Sequence, residues 1–278
     1  MVQKILAVIL FLFCIEFAAD AAAEPAPLRV MLLPYTNTIT LMKVHQPLRQ
    51  HLQATLGRPV ELFTSMDFPS HFDSVRQGDF DVAITGPHFG AWAVEHGHQP
   101  LLRYSATLSP VLAVRPGSGI AGPKQVRGKV VVMSNRISSS SLAGVHWLKG
   151  EGLEPERDYT LRASPTHTAA IMAVAMGEAD AAITTNTPIR QAPDDVREKV
   201  VAVVSPVSFP HLFTIANANI PKEGIEPLIQ AFISFETSEA GRRFFEETGY
   251  QGYSRLSAID IVAMHPYVEL LMKSLGAP

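Results

Sequence analysis

The chain has 278 residues, a formal net charge of −3 and a hydrophobic fraction of 47%. Its 23 basic and 26 acidic residues show no clustered cationic excess, so a nucleic-acid partner is not expected. Cys14, the single cysteine, lies near the N-terminus, which excludes a disulfide framework, a thiolate nucleophile and a cysteine metal site in the rest of the chain.

The first residues have the pattern of a secretory signal peptide. Lys4 precedes an apolar run at 5–17, and the small residues Ala21, Ala22 and Ala23 form a cleavage site. The apolar run is shorter than the roughly 20 residues of a membrane-spanning helix. We therefore predict a signal peptide at 1–23, cleavage near Ala23 and a periplasmic location. An uncleaved membrane anchor remains the alternative.

The first half of the mature chain alternates short apolar runs with amphipathic ones, as α/β proteins do. The predicted strands and extended segments are 28–33, 60–63, 80–85, 101–104 and 111–114. The predicted helices are 41–56, 68–77 and a segment that follows Gly86 and Pro87 and runs through 92–96.

The same alternation then begins again. The predicted strands are 130–133, 159–162, 181–184, 200–204 and 212–216. The predicted helices are 141–149, 168–176, one that begins at Pro188, 225–235, 239–248 and 259–275. Pro266 should kink or split the last helix, because proline removes a hydrogen bond and clashes with the preceding turn.

Two segments of the chain look alike. Residues 72–87 and 170–188 each contain an apolar helix, a glycine, and an aspartate that opens a strand; Asp81 and Asp180 occupy matching places. This predicts two similar α/β lobes that share a ligand cleft. Ligands of open α/β sheets bind outside the carboxyl ends of the strands. The loops at 85–88, including Thr85 and His88, and at 184–186, including Thr184 and Thr185, should line that cleft.

Four consecutive serines, Ser138 to Ser141, lie between the predicted strand 130–133, which is rich in valine, and the predicted helix 141–149. Such a junction offers unpaired backbone N–H groups and the positive end of the helix dipole, which together suit an oxyanion. An ordinary serine N-cap is the alternative, and it remains open at this point.

The chain resembles the periplasmic phosphonate-, phosphite- and phosphate-type solute-binding proteins that feed ABC importers. The resemblance is carried by LRVMLLPY, PLRQHLQATLGRPVEL, QGDFDVAITGPHFGAWAVEHGHQPLLRY, the serine turn and WLKGEGLEPERDY, in that order. It implies a type II periplasmic binding fold, with two α/β lobes joined by crossing strands. The lobes would comprise 24–108 with 206–278, and 109–205.

The resemblance also implies site residues. Ser138, Ser139 and Ser140 would hold the oxyanion, with Ser141 as the alternative under a one-residue shift of alignment. His167 matches a histidine of the second lobe. Phe68 and Thr85 fall where some members have ligand-contacting tyrosines. Members that bind aminophosphonates have acidic residues where this chain has Thr187, or a neighbour, and His211.

The residues themselves favour the same ligand chemistry. A buried ammonium needs a carboxylate, and none occurs at 184–188 or 205–218. We therefore expect a small oxyanion without an amine tail. Phenylalanines could pack against a neutral or apolar tail, and arginines near loops could be cleft cations, with solvated surface arginines as the alternative. The candidates are Phe68, Phe89, Phe209, Phe213, Arg115, Arg136 and Arg190.

The sequence therefore predicts a monomeric binding protein that partners an inner-membrane ABC permease and needs neither cofactor nor metal. A periplasmic protein that reports its ligand to a membrane sensor is the first alternative. A hydrolase is the second, although no G-x-S-x-G motif surrounds the serines. The ligand's tail, and the choice between phosphorus and another oxyanion such as sulfonate, remain open.

Overall fold

The computed structural model describes residues 25–276. The predicted signal peptide at 1–23 and its cleavage site lie outside the described residues. Among the helices of the described part, none is both long enough and apolar enough to cross a membrane.

Thirteen strands and eleven α-helices build the described part of the chain. The strands are β1 (Leu28–Leu32), β2 (Val60–Thr64), β3 (Val82–Thr85), β4 (Gln99–Tyr104), β5 (Thr107–Leu108), β6 (Pro110–Val114), β7 (Val130–Met133), β8 (Thr160–Ala163), β9 (Ala181–Thr185), β10 (Val201–Val204), β11 (Phe209–Pro210), β12 (Phe213–Ala216) and β13 (Tyr253–Arg255). The helices are α1 (Thr38–Leu56), α2 (Phe68–Gln77), α3 (Pro87–Glu95), α4 (Ser139–Gly150), α5 (His167–Ala175), α6 (Asn186–Arg190), α7 (Asp194–Arg197), α8 (Lys222–Thr237), α9 (Glu239–Thr248), α10 (Ala258–Ala263) and α11 (His265–Ser274).

Two mixed sheets share one plan, which confirms the predicted two-part α/β architecture. The six-stranded sheet has the order β13-β4-β12-β3-β1-β2, and the five-stranded sheet has the order β10-β6-β9-β7-β8. In each sheet one strand, β1 or β7, pairs in parallel with both of its neighbours. One of those neighbours, β3 or β9, then pairs antiparallel with the next strand, β12 or β6. The chain crosses between the sheets after β4 and again after β10. The two crossing segments contain β5 and β11, which pair antiparallel with each other.

Asp81 and Asp180 make the same hydrogen bonds in the two sheets. The carboxylate of Asp81 accepts from the backbone N–H of Arg29 at 2.7 Å, and that of Asp180 accepts from Val130 at 2.9 Å. The backbone N–H of each aspartate also donates to the carbonyl of the same partner residue. The matching sequence positions therefore fix the same register in both sheets.

Local signals explain where the helices begin and end. Asp67 caps α2 by accepting from the backbone N–H of Ser70 at 2.8 Å. Gly78 ends the same helix with a left-handed φ of 72°, which favours glycine. Near the C-terminus, α10 ends at Ala263 and α11 begins at His265, so Pro266 splits the predicted long helix as expected.

Some elements differ from their predictions. The helix expected to begin at Pro188 begins at Asn186, so the proline lies within its first turn, where the missing N–H is not needed. The short strands β5, β11 and β13 were not predicted. Two or three residues carry no detectable periodicity, and pairing with distant strands creates these elements.

Candidate functional site

The serine run forms the first turn of α4 and lies inside the molecule. Ser138 is the N-cap, and its hydroxyl accepts from the backbone N–H of Ser141 at 3.2 Å. Ser138, Ser139 and Ser140 are only 2%, 7% and 3% exposed. Serine is usually exposed, so this degree of burial points to more than a surface cap.

His167 connects the serine turn to β9. Its Nε2 lies 3.1 Å from the hydroxyl of Ser134 and 3.3 Å from that of Ser140, and its Nδ1 lies 3.1 Å from the hydroxyl of Thr184. Burial lowers the pKa of His167 to about 4, so the ring is neutral at neutral pH. A neutral ring can exchange donor and acceptor roles with the hydroxyls around it.

A small pocket lies between the two sheets. About 40 Å³ of its interior is available to the centre of a water molecule. One water needs about 10–15 Å³ by this measure, so the space suits roughly three waters or one tetrahedral oxyanion. The residues that line it are Leu33, Tyr35, Phe68, Gly86, His88, Leu108, Ser138, Ser139, Ser140, His167, Thr185, Thr187, Pro188, His211, Leu212 and Tyr250.

The pocket has two chemically different walls. We call the side next to the five-stranded sheet the hydroxyl wall, which consists of Ser138, Ser139, Ser140, His167 and Thr185. We call the side next to the six-stranded sheet the aromatic wall, which consists of Tyr35, Phe68, His88, His211 and Tyr250.

His88 links the two walls. Its Nε2 lies 2.7 Å from the backbone carbonyl of Ile137, just before the serine turn. A carbonyl only accepts, so Nε2 holds the proton and Nδ1 has a lone pair. That Nδ1 is buried and has no partner among the described residues. Burial lowers the pKa of His88 to about 4, which keeps the ring neutral.

His211 presents the opposite group. The backbone N–H of Leu212 donates to its Nδ1 at 2.9 Å, so the proton of the neutral ring is on Nε2. This Nε2–H is buried and has no partner in the described part of the chain. Burial first, and then the nearby Arg103 cation, lower the pKa of His211 to about 3.

The two tyrosines of the aromatic wall are also fixed in place. The Tyr250 hydroxyl donates to that of Tyr35 at 3.2 Å. The backbone carbonyl of Tyr35 accepts from the N–H of His167 at 3.3 Å, which adds a second contact between the walls. Burial raises the pKa of both tyrosines, so both hydroxyls keep their protons.

Charged side chains are missing from the lining of this pocket. Its lining residues, within the part of the chain that the structure describes, include no Asp, Glu, Lys or Arg. The three histidines are neutral at neutral pH. An anion here would be held by hydroxyls, ring N–H groups and backbone dipoles rather than by a cation. A ligand ammonium would find no carboxylate.

Three residues predicted for the site lie elsewhere. Thr85 is fully buried, and its hydroxyl lies 2.8 Å from Nε2 of His71, so it is used within the core. Thr184 does not line the pocket, and its hydroxyl lies 3.1 Å from Nδ1 of His167. Ser141 faces a groove on the other side of α4 and accepts from the hydroxyl of Ser138 at 2.8 Å.

Of the phenylalanines predicted to contact a tail, only Phe68 lines the pocket. Phe89 stacks on Phe72, Phe213 is fully buried in β12, and Phe209 packs on Tyr267. These three rings form part of one hydrophobic core cluster.

The predicted cleft arginines do not line the oxyanion pocket either. Arg115 donates to the carbonyls of Val174 and Ala179. Arg136 lines the groove behind α4. Arg190 lines a larger compartment beside the pocket. Within the described residues no cluster of three potential metal ligands occurs.

Sequence reasoning missed several lining residues. Leu33 and Tyr35 follow the carboxyl end of β1, a position that could have indicated them. Tyr250 follows α9 far along the chain, and Leu108 lies in a two-residue strand. No local pattern marks either of these as part of a site.

Comparisons with known proteins identify the family and the fold. A family described as "ABC transporter, phosphonate, periplasmic substrate-binding protein" matches residues 30–260. PhnD1 from Prochlorococcus marinus, solved in complex with methylphosphonate, is 15% identical with a TM-score of 0.74; the match covers 90% of this chain and 98% of that one.

Two further solved structures are similar. A binding protein component of an ABC phosphonate transporter from Pseudomonas aeruginosa is 14% identical, with a TM-score of 0.73 and coverage of 90% of this chain and 98% of that one. A Xanthomonas citri protein bound to chloride ion is 14% identical, with a TM-score of 0.70 and coverage of 91% and 99%. At such identities these structures show the fold.

Proposed function

We propose a specific role for this chain, which belongs to the family of periplasmic substrate-binding proteins of phosphonate ABC transporters. It captures a small phosphorus oxyanion without an amine tail and presents it to the permease of an importer. The signal peptide is removed near Ala23, and the mature protein acts as a monomer.

The observation that carries this proposal is the buried hydroxyl wall. Ser139 and Ser140 offer hydroxyl groups in the first turn of a 12-residue helix that Ser138 caps, next to a neutral His167. Hydrogen bonds from neutral groups to a charged acceptor contribute about 1.5–3 kcal/mol each. Several such bonds account for specific binding of an anion without a cationic side chain.

His88 favours phosphorus over sulfur in the head group. His88 lines the pocket, and its Nδ1 is a buried acceptor without a partner among the described residues. A phosphonate, phosphite or phosphate monoanion has a P–OH group that can donate to it. A sulfonate has no such proton at neutral pH and would place an anionic oxygen against a lone pair.

Entry of the ligand requires the walls to separate. His88 and the backbone of His167 bond across the pocket to Ile137 and Tyr35. Opening and closing of the two lobes about the paired crossing strands would break and remake these contacts. The lobe boundaries remain those expected from the sequence, at 24–108 with 206–278 and at 109–205.

Hydrolysis is not part of the proposed function. Nε2 of His167 lies 3.3 Å from the Ser140 hydroxyl, but its Nδ1 faces the hydroxyl of Thr184 rather than a carboxylate. A nucleophile with its base normally needs a third group that orients the base and stabilises its charge.

A thermal-shift screen of the mature protein tests the function. The panel is phosphate, phosphite, methylphosphonate, aminoethylphosphonate and methanesulfonate. A ligand at a hundred times its Kd stabilises the folded state by about 2.7 kcal/mol. We expect methylphosphonate to raise the Tm, and aminoethylphosphonate and methanesulfonate to raise it less. If none of the phosphorus oxyanions raises the Tm, the proposed function is wrong.

A further inference from the structure

A second, larger compartment adjoins the oxyanion pocket. About 510 Å³ of it is available to the centre of a water molecule, against about 40 Å³ in the pocket. The two spaces lie side by side, because four residues line both of them: Leu108, Thr185, Thr187 and His211. A ligand whose head group occupies the pocket could therefore extend its tail into this compartment.

Polar groups dominate the lining of the second compartment. Its residues are Ser105, Ala106, Thr107, Leu108, Ser109, Thr185, Asn186, Thr187, Arg190, His211, Thr248, Gly249 and Gln251. Arg190 is the only charged side chain among them, and no carboxylate occurs in the lining formed by the described residues. The compartment thus has a positive character that the oxyanion pocket lacks.

Arg190 is exposed and contacts the backbone at the end of α9. Its Nη1 donates to the carbonyl of Glu246 at 3.4 Å and lies against Gly249. A Cβ at Gly249 would lie 2.5 Å from that nitrogen, and the φ of 75° there also favours glycine. Within the described residues Arg190 makes no ion pair with an acidic side chain, so its charge is available to a ligand.

His211 provides a second donor where the two spaces meet. Its Nε2–H has no partner in the described part of the chain, and the residue is 3% exposed. A buried donor without a partner is unfavourable, and a ligand acceptor would satisfy it.

We propose that this compartment binds an anionic tail, and that the ligand is a phosphonate with a carboxylate on a short chain. The proposal rests on the proposed function. The phosphonate occupies the hydroxyl wall, and the carboxylate accepts from Nε2–H of His211 and from the guanidinium of Arg190. Arginine suits this role because its planar donors match a carboxylate.

Other tails fit the compartment less well. An ammonium would be placed beside Arg190 with no carboxylate to balance it. An alkyl group would leave the donors of His211 and Arg190 without an acceptor. A carboxylate can accept hydrogen bonds from both His211 and Arg190.

Titration calorimetry with phosphonoacetate and ethylphosphonate tests the proposal, because the two ligands have similar size and differ in the tail charge. We expect phosphonoacetate to bind about tenfold or more tightly than ethylphosphonate, since one charge-assisted pair contributes about that much. Arg190→Gln should reduce the ratio of the two affinities to about threefold or less. Arg190→Lys should retain part of it.

Arg243→Gln is the matched control. Arg243 is an exposed arginine on α9 that pairs with Glu239 and lines neither space, so its removal should leave the ratio unchanged. Equal affinities of the wild type for the two ligands, or a ratio that survives Arg190→Gln, would overturn the tail proposal alone. Failure of both ligands to bind would instead contradict the proposed function.

Discussion

The hydroxyl wall and the aromatic wall face each other across one pocket but differ in the side chains that they offer to a ligand. The hydroxyl wall offers short side chains at helix starts, with Ser138 to Ser140 in the first turn of α4. The aromatic wall offers large rings that exclude water, such as Phe68 and Tyr250. Head-group affinity should therefore depend on the first wall, and ligand selectivity on the second.

The two halves of the molecule, each built around one of the large sheets, also differ in their buried titratable groups. Five buried histidines have lowered pKa values, about 4 for His45, His88 and His167 and about 3 for His71 and His211. Of these five, only His167 lies on an element next to the five-stranded sheet, on the hydroxyl wall. The other four lie on the elements around the six-stranded sheet.

Acid should therefore destabilise the six-stranded half more, and this is the largest effect we expect. Above pH 6.5 these histidines are neutral in both the folded and the unfolded chain. As the pH falls from 6.5 towards 4 and 3, the unfolded chain takes up protons while the folded one does not, so stability is lost. Each unit of pKa difference corresponds to about 1.4 kcal/mol, and five histidines can remove most of an ordinary folding free energy.

Urea denaturation at pH 7.5 and pH 4.5 measures the total loss, and hydrogen exchange at pH 4.5 locates it. Amides of β1 and β3 should exchange faster than those of β7 and β9. A free energy of unfolding that does not change between the two pH values would show that the histidines are not buried as described.

A second difference lies in how closely the pocket helices approach their sheets. A Cβ at Gly144 in α4 would overlap Cγ2 of Ile183, whereas a Cβ at Gly90 in α3 would lie 2.9 Å from Cβ of Phe213. We expect Gly144→Ala to destabilise the protein by about 1–3 kcal/mol, because overpacking exceeds the gain in helix propensity. Gly90→Ala should have a smaller effect.

Urea denaturation of the two variants checks this order. Gly128→Ala does not serve as a control, because Gly128 has a φ of 72°. Gly150→Ala does, since a Cβ at Gly150 meets nothing within 4 Å. A Gly144→Ala protein as stable as Gly150→Ala would contradict the close approach of α4 to β9.

The smallest effect that we expect is a change in the affinity for a phosphonate with an amine tail. Thr187 lines both the pocket and the second compartment, where a carboxylate could meet a ligand ammonium. Thr187→Glu should raise the affinity for aminoethylphosphonate relative to methylphosphonate about tenfold, which corresponds to about 1.4 kcal/mol. Calorimetry of both ligands measures the ratio.

Thr187→Gln, which has the same size without the charge, should leave that ratio close to the wild-type value. An equal gain in the glutamine variant would show that shape, rather than the missing carboxylate, excludes the amine.

The fold was largely predictable because its main helices and strands have recognisable apolar patterns. The matched Asp81 and Asp180 indicated two similar sheets, and both aspartates make the same backbone hydrogen bonds. The paired crossing strands β5 and β11 could not be predicted, since contact between distant residues creates them.

The site was predictable only in part. The serine turn and His167 lie at strand-to-helix junctions, which sequence patterns mark, and the structure places them in one pocket. Thr85 also ends a strand, but its hydroxyl is taken by the buried His71, and no local pattern shows such a partner. The binding role of the lining residues remains a prediction.

Calorimetric titration of methylphosphonate tests the central claim, that the hydroxyl wall holds the head group. Ser139→Ala with Ser140→Ala should weaken binding by about a hundredfold or more, because each lost bond to an anion contributes about 1.5–3 kcal/mol. Ser234→Ala with Ser274→Ala, on α8 and α11 outside both spaces, should bind as the wild type does. A folded Ser139→Ala, Ser140→Ala protein with wild-type affinity would contradict the account.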